Sequence, residues 1–168
     1  MARPANDDGE LLRVRGRVQG VGFRPTVARV AAALGLPGWV LNDAEGVLIA
    51  LGGDRAARDR FLAALTAALP PLASIDGVSR SPAVGVALGS GFAIVASTTA
   101  TGAAPAATVI PDAAICDACA AEILDPRARR HGYAFTNCTH CGPRFTIATG
   151  VPWDRPRTTM RGFPLCAA

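Results

Sequence analysis

The stretch Arg17-Val18-Gln19-Gly20-Val21-Gly22-Phe23-Arg24 holds residue types that suit anion chemistry. Gly20 and Gly22 stand two apart, between a run that alternates like a strand and one spaced like a helix. Backbone N–H groups from Gln19, Gly20, Val21, Gly22 and Phe23 can therefore converge into an anion-binding nest. The helix N-terminus beyond them adds partial positive charge. Arg24 stands at that entrance, where its guanidinium can fork onto two phosphate oxygens. No Gly-Lys-Ser/Thr follows, so the loop is not a nucleotide P-loop. A Gly-x-Gly taken alone also serves as a plain tight turn. Asn42 is the second candidate, and taken alone it reads as a hairpin residue.

A different chemistry sits further on. Cys116-Asp-Ala-Cys119 and Cys138-Thr-His-Cys141 are two Cys-x-x-Cys pairs with eighteen residues between them. Each pair offers two thiolates on a tight turn, and two pairs close a tetrahedral zinc site that leaves no position open for substrate. Such a zinc is structural. The competing use of these cysteines is in disulfides. Met1–Glu10 is polar and acidic rather than a signal peptide, and that favours metal and a cytoplasmic protein. His140 lies between two cysteines and reads as a neighbour of the site or an exposed residue. His131 and the Arg127–Arg130 cluster read as a polar loop, with a partner contact as the other use.

These residues need elements to position them. Leu12, Val14 and Val18 alternate with Arg13, Arg15 and Arg17, which predicts a strand over Leu11–Val18 with one apolar face. Pro25 suits a first helical position, Val27, Val30, Ala31 and Leu34 follow at helical spacing, and Gly35 with Pro37 ends that helix. Trp39–Leu41 and Val47–Leu51 predict a hairpin across Asn42–Gly46. Asp54 can cap a second helix that buries Phe61, Leu62, Leu65 and Leu69 and stops at Pro70-Pro71. Strands over Ser74–Ser79 and Phe92–Ala96 complete an α+β, ferredoxin-like βαββαβ order with one extra strand. In that topology the first and second strands run parallel with the third between them. The loop at 19–23 and Asn42 then share one edge of the sheet, two strand spacings or roughly 10 Å apart. A phosphate and an attacking water fit that gap.

The predicted organisation is a domain at 10–97, a linker at 98–107 without periodicity or large apolar residues, and a zinc region at 108–168. Half the chain is apolar, enough for one core and a smaller appendage. The net charge of +4 rests on 17 arginines and no lysine. They are spread along the chain, without the dense basic stripe of a dedicated nucleic-acid binder. No apolar run approaches the ~20 residues of a membrane span.

VQGVGFRP at Val18–Pro25 and GWVLNDAEGV at Gly38–Val47 resemble the two acylphosphatase signatures, in the right order and separation. The resemblance implies that the 19–23 amides and Arg24 bind a phosphoryl group and that Asn42 orients the hydrolytic water. The residues agree with that chemistry. Phosphoryl transfer needs positioning and charge stabilisation more than covalent catalysis. The first domain contains neither His nor Cys, which points to direct attack by water, with no phospho-enzyme and no required metal.

YAFTNCTHCGPRFT (Tyr133–Thr146) and DRPRTTM (Asp154–Met160) resemble the zinc-finger segment of the HypF family, the hydrogenase-maturation carbamoyltransferases. That resemblance implies carbamoyl phosphate as substrate of the first domain. It also implies later domains that pass a carbamoyl group to a maturation partner, as precursor of the cyanide ligand of a nickel–iron hydrogenase. Cys166 falls where a third Cys-x-x-Cys would begin, so the expectation is a second finger cut short and a chain that lacks the ATP-using domains. The rival reading is a zinc-dependent protein- or nucleic-acid-binding module carrying a degenerate acylphosphatase fold. Arg24 and Asn42 argue against degeneracy. Gly150, Pro152 and Pro156 break the segment where a DNA-reading finger would place its recognition helix.

Overall fold

Leu12 and Val14 are completely buried while their arginine neighbours face outward, as the alternation requires of β1 (Glu10–Arg17). The computed structural model describes residues 9–98, 114–133, 136, 147–150, 152 and 154–163. β1 is followed by α1 (Phe23–Ala33), the hairpin β2 (Gly38–Asp43) and β3 (Gly46–Leu51), α2 (Arg55–Ala67), β4 (Ser74–Pro82) and β5 (Phe92–Ile94).

β3 pairs antiparallel with both β1 and β2, so β1 and β2 run the same way with β3 between them. β4 flanks β1 antiparallel and β5 flanks β2 in parallel, giving the sheet order β4-β1-β3-β2-β5. The C-terminal ends of β1, β2 and β5 therefore lie along one edge. Gly46 permits the tight hairpin at that edge: it sits at φ 137°, and a Cβ there would lie 2.4 Å from the Val14 carbonyl oxygen.

The sheet and both helices share one apolar cluster, which includes Leu12, Val14, Val40, Val47 and Ile49 from the strands with Val27, Phe61 and Leu65 from the helices. Each such burial stabilises the fold by about 1.5–3 kcal/mol. Asp54 caps α2, its carboxylate accepting from the Ala57 N–H at 2.7 Å. Phe61 and Leu65 are fully buried, and Leu62 and Leu69 pack partly against the core.

Several bounds differ from the sequence-based expectation: β1 is shifted by one residue, β4 runs on to Pro82 rather than ending at Ser79, β5 ends at Ile94 rather than Ala96, and α1 differs at both ends. α1 begins at Phe23, so Pro25 is its third residue rather than its first. The cost is nil, because the N–H groups of the first turn have no intrahelical acceptor. Leu34 lies past the helix as its C-cap and is 39 % exposed, so it does not extend the buried stripe.

At the far side of β1 an ion network joins β1, α2 and β4. Arg80 binds both Glu10 oxygens, at 2.9 and 2.7 Å, and reaches Asp59 at 2.6 Å. Its guanidinium is held above its ordinary range by the bonds to Glu10 and then Asp59. The Asp59 carboxyl is held below the usual carboxylate range, chiefly by the hydrogen bond from Arg80. Arg58, 5 % exposed, donates to the Gly53 carbonyl at 2.6 Å and lies 3.5 Å from Glu10.

In the second part of the chain α3 (Asp117–Leu124) follows Cys116 as its N-cap, and two 3-10 turns span Arg155–Arg157 and Thr159–Gly162. Of the segment 98–107 only Thr98 lies within the described residues. No helix of the described residues is long and apolar enough to cross a membrane.

Candidate active site

The β1–α1 loop is shaped by two inward and two outward residues. Val21 and Phe23 are buried at 0 % and 1 % exposure and pin the loop to the core. Gly20 and Gly22 have left-handed φ values of 74° and 76°, which turn the backbone between those anchors. Gly22 is the N-cap of α1 and contributes no side chain, so the first-turn N–H groups remain available to an anion. The loop is braced from beneath by Gln19. Its Nε2 donates to the carbonyls of Asp43 at 2.8 Å and Gly46 at 2.7 Å, tying the loop to the β2–β3 turn.

Asn42 stands near the C-terminal end of β2 and is 1 % exposed. Its backbone carbonyl accepts from the Thr98 N–H at 3.0 Å. Its side-chain Oδ1 is buried and has no hydrogen-bond partner among the described residues. A buried amide oxygen without a donor is costly, and a water is the ordinary donor for such a position. The neighbouring Asp43 is engaged otherwise: its carboxylate pairs with Arg13 and accepts from the Glu45 N–H.

Arg24, the second residue of α1, is 18 % exposed in its side chain. Its Nη1 donates to Ser97 Oγ at 3.2 Å, and its Nη2 donates to Asp154 Oδ1 at 2.6 Å. The structure thus brings the expected loop, Arg24 and Asn42 to the same sheet edge. It adds three participants that the residue patterns do not reveal: the Gln19 side chain, Ser97 beyond β5, and Asp154. Asp154 lies 130 residues from Arg24 in a motif otherwise noted for its finger-like context.

Cys116 is the N-cap of α3, and Cys119, one turn on, is 1 % exposed. Residues three apart at a helix start share a face, and the helix N-terminus favours the thiolate form that a metal requires. The donor chemistry at this pair fits zinc. Cys138, Cys141, His140 and Cys166 lie outside the described residues. His131 is exposed, and Arg127 and Arg130 pair with Asp125 and Glu122 of their own segment, as in a polar loop.

A family model described as Acylphosphatase matches residues 11–94, and one described as HypF finger matches residues 115–148, which include all four cysteines of the two pairs. An acylphosphatase from Caldivirga maquilingensis is 43 % identical over 83 residues, covering 48 % of this chain and 86 % of the relative. The chain belongs to the acylphosphatase family through its first domain.

It is also homologous to carbamoyltransferase HypF. The Rhodobacter capsulatus protein of that name is 57 % identical over 158 residues, which cover 94 % of this chain and 20 % of the relative. A crystal structure of full-length HypF in a phosphate- and nucleotide-bound form matches with a TM-score of 0.84 at 38 % identity, covering 95 % of this chain and 21 % of that one. The chain spans about one fifth of the length of these HypF relatives.

Proposed function

We propose that the first domain hydrolyses carboxylic–phosphoric anhydrides, with carbamoyl phosphate as its substrate. The observation that carries this reading is the meeting at one sheet edge of the glycine loop, Arg24 and a buried Asn42 whose Oδ1 has no donor among the described residues. The amides of Gln19, Gly20, Val21, Gly22 and Phe23 hold the phosphoryl oxygens, and Arg24 adds charge where negative charge collects. Asn42 Oδ1 accepts a hydrogen bond from water and aims its oxygen at phosphorus.

The new P–O bond forms as the bond between phosphorus and the acyl oxygen breaks. The carboxylate or carbamate leaves with the electron pair, and the water's proton ends on phosphate. Because the leaving group is stable as an anion, no strong base is required, and this domain has no His or Cys to supply one. The step needs no metal.

Cys116, Cys119, Cys138 and Cys141 hold a structural zinc in the second module. When bound, zinc supplies a crosslink between the two cysteine pairs and no open coordination position. In the longer proteins that this chain resembles, the proposed place of the domain is the release of carbamate from carbamoyl phosphate. Further domains then pass the carbamoyl group to a hydrogenase-maturation partner in the cytoplasm, as precursor of the cyanide ligand of a nickel–iron hydrogenase. Phosphate release from carbamoyl phosphate, compared with acetyl phosphate and corrected for spontaneous decay, tests the substrate. Turnover of acetyl phosphate alone would move the preference away from the carbamoyl group, and turnover of neither would refute the enzyme reading.

A further inference from the structure

Arg24 meets a carboxylate that belongs to neither matched family segment. Asp154 lies beyond the acylphosphatase match at 11–94 and beyond the finger match at 115–148, yet its Oδ1 is 2.6 Å from Arg24 Nη2. The pair is largely shielded, with side-chain exposures of 18 % and 24 %. Ser97 holds Nη1 from another direction, at 3.2 Å.

Asp154 is itself held in place. Ala148 bridges Thr158 antiparallel, the Thr149 N–H donates to the Arg157 carbonyl at 2.8 Å, and the Arg157 N–H donates to the Asp154 carbonyl at 2.8 Å. Thr158, 4 % exposed, closes the following turn through its hydroxyl, which bonds both the Arg155 carbonyl and the Met160 N–H. The carboxylate is therefore presented by a built turn.

We infer that Asp154 is a positioning residue for the phosphate site, reaching from the segment after the finger to fix the Arg24 guanidinium. The inference rests on the proposed phosphate role of Arg24. A guanidinium has five N–H donors in a rigid fork, so it can bind a carboxylate on one edge and offer another edge to a phosphate. Without the carboxylate, Arg24 is a long side chain with many rotamers, and each phosphate captured must order it. With the carboxylate, the ordering is done beforehand, and the approach geometry of the phosphoryl group is set by the fold. The site is then complete only when the segment after the finger is docked.

The test uses the full 168-residue chain, with acetyl phosphate turnover and the dissociation constant of inorganic phosphate as paired readouts. Asp154→Ala should weaken phosphate binding and lower kcat/KM on the order of tenfold to a hundredfold. Asp154→Asn keeps an acceptor oxygen without the charge and should fall between. Thermal midpoint and zinc content are measured on the same samples, and the Asn variant serves if the Ala variant does not fold. In an Arg24→Ala background, Asp154→Asn should have no further effect, because its action passes through the guanidinium.

Tighter phosphate binding in Asp154→Asn would overturn the inference by showing that the carboxylate competes with phosphate for Arg24. Unchanged kinetics in Asp154→Asn, or losses that add to those of Arg24→Ala, would overturn it as well. Unchanged kinetics in Arg24→Ala itself would strike the phosphate-site reading instead, so the two failures are distinguishable.

Discussion

Two arginine-rich corners of the first domain use the same side chain for opposite ends. At the far side of β1, Arg80 is wrapped by the two oxygens of Glu10 and by Asp59, so its charge is matched within the fold. At the loop edge, Arg24 meets the Asp154 carboxylate and the Ser97 hydroxyl, among other partners, while standing beside left-handed glycines and a helix N-terminus. What separates a structural arginine from the proposed anion-binding one is the setting around it. Around Arg80, carboxylates bind both terminal nitrogens and Nε. Around Arg24, left-handed glycines and the N-terminus of α1 add backbone donors, which supports the proposed anionic ligand there.

Mutation of the two arginines sharpens this contrast most. Arg24→Ala should lower acyl phosphate turnover by about 10²–10³ and weaken inorganic phosphate binding, with a lower thermal midpoint from the Asp154 carboxylate left unpaired. Arg24→Lys should recover only part, because one ammonium cannot reproduce the fork. Arg80→Ala should touch stability alone. Its kinetics should be unchanged, and stability should fall by about 0.2–1 kcal/mol in a denaturant titration, the range for exposed ion pairs. A catalytic loss in Arg80→Ala would erase the distinction between the corners.

Zinc removal probes the same contrast through the second module. If four thiolates close one tetrahedral site, metal binding of that kind supplies ~10–16 kcal/mol to a small domain. Thiol titration of the zinc-bound chain should then find Cys166 fast and the other four cysteines protected, with one zinc released on denaturation. Cys138→Ser should lose the metal, and Cys166→Ser should keep it. A chelator should lower kcat/KM no further than Asp154→Ala does, because the phosphate loop and Asn42 belong to the sheet core. A fall to the level of Arg24→Ala would mean that zinc has a part in the chemistry.

The smallest expected effect is one of pH. Asp59 has a carboxyl depressed below its ordinary value of 3.8, chiefly by Arg80. Its contribution to stability is therefore fully present above that value and is lost as pH falls through the lower folded value. Denaturant midpoints of the parent and of Asp59→Asn should differ near neutrality and converge as pH falls through the depressed folded value. A difference that persists in acid would remove Asp59 from the network's account.

Much of the first domain is legible before any coordinates, because local rules and tertiary structure agree there. The alternation at Leu12 and Val14, the helical spacing at Val27, Val30 and Ala31, and the cap at Asp54 each predict the element that forms. The topology then places the loop and Asn42 on one edge. Other features escape for identifiable reasons. α1 starts before Pro25 because a left-handed glycine serves as its cap, and no side-chain signal marks that. The Gln19 brace depends on where the β2–β3 turn delivers two carbonyls. Asp154 is the least legible: its partner is 130 residues away, and nothing in Asp154-Arg155-Pro156 names an arginine on another element.

The proposal that this sheet edge aims water at phosphorus is tested most directly by running acetyl phosphate hydrolysis in water labelled with heavy oxygen. The parent chain should place one label in the released phosphate and none in the acetate, since the bond between phosphorus and the acyl oxygen is the one that breaks. Asn42→Ala should cut the rate of that labelled release far more than it weakens inorganic phosphate binding, because the proposed partner of Oδ1 is the water. Label in the acetate, or an Asn42→Ala chain that loses phosphate affinity while keeping its turnover at saturation, would contradict the account.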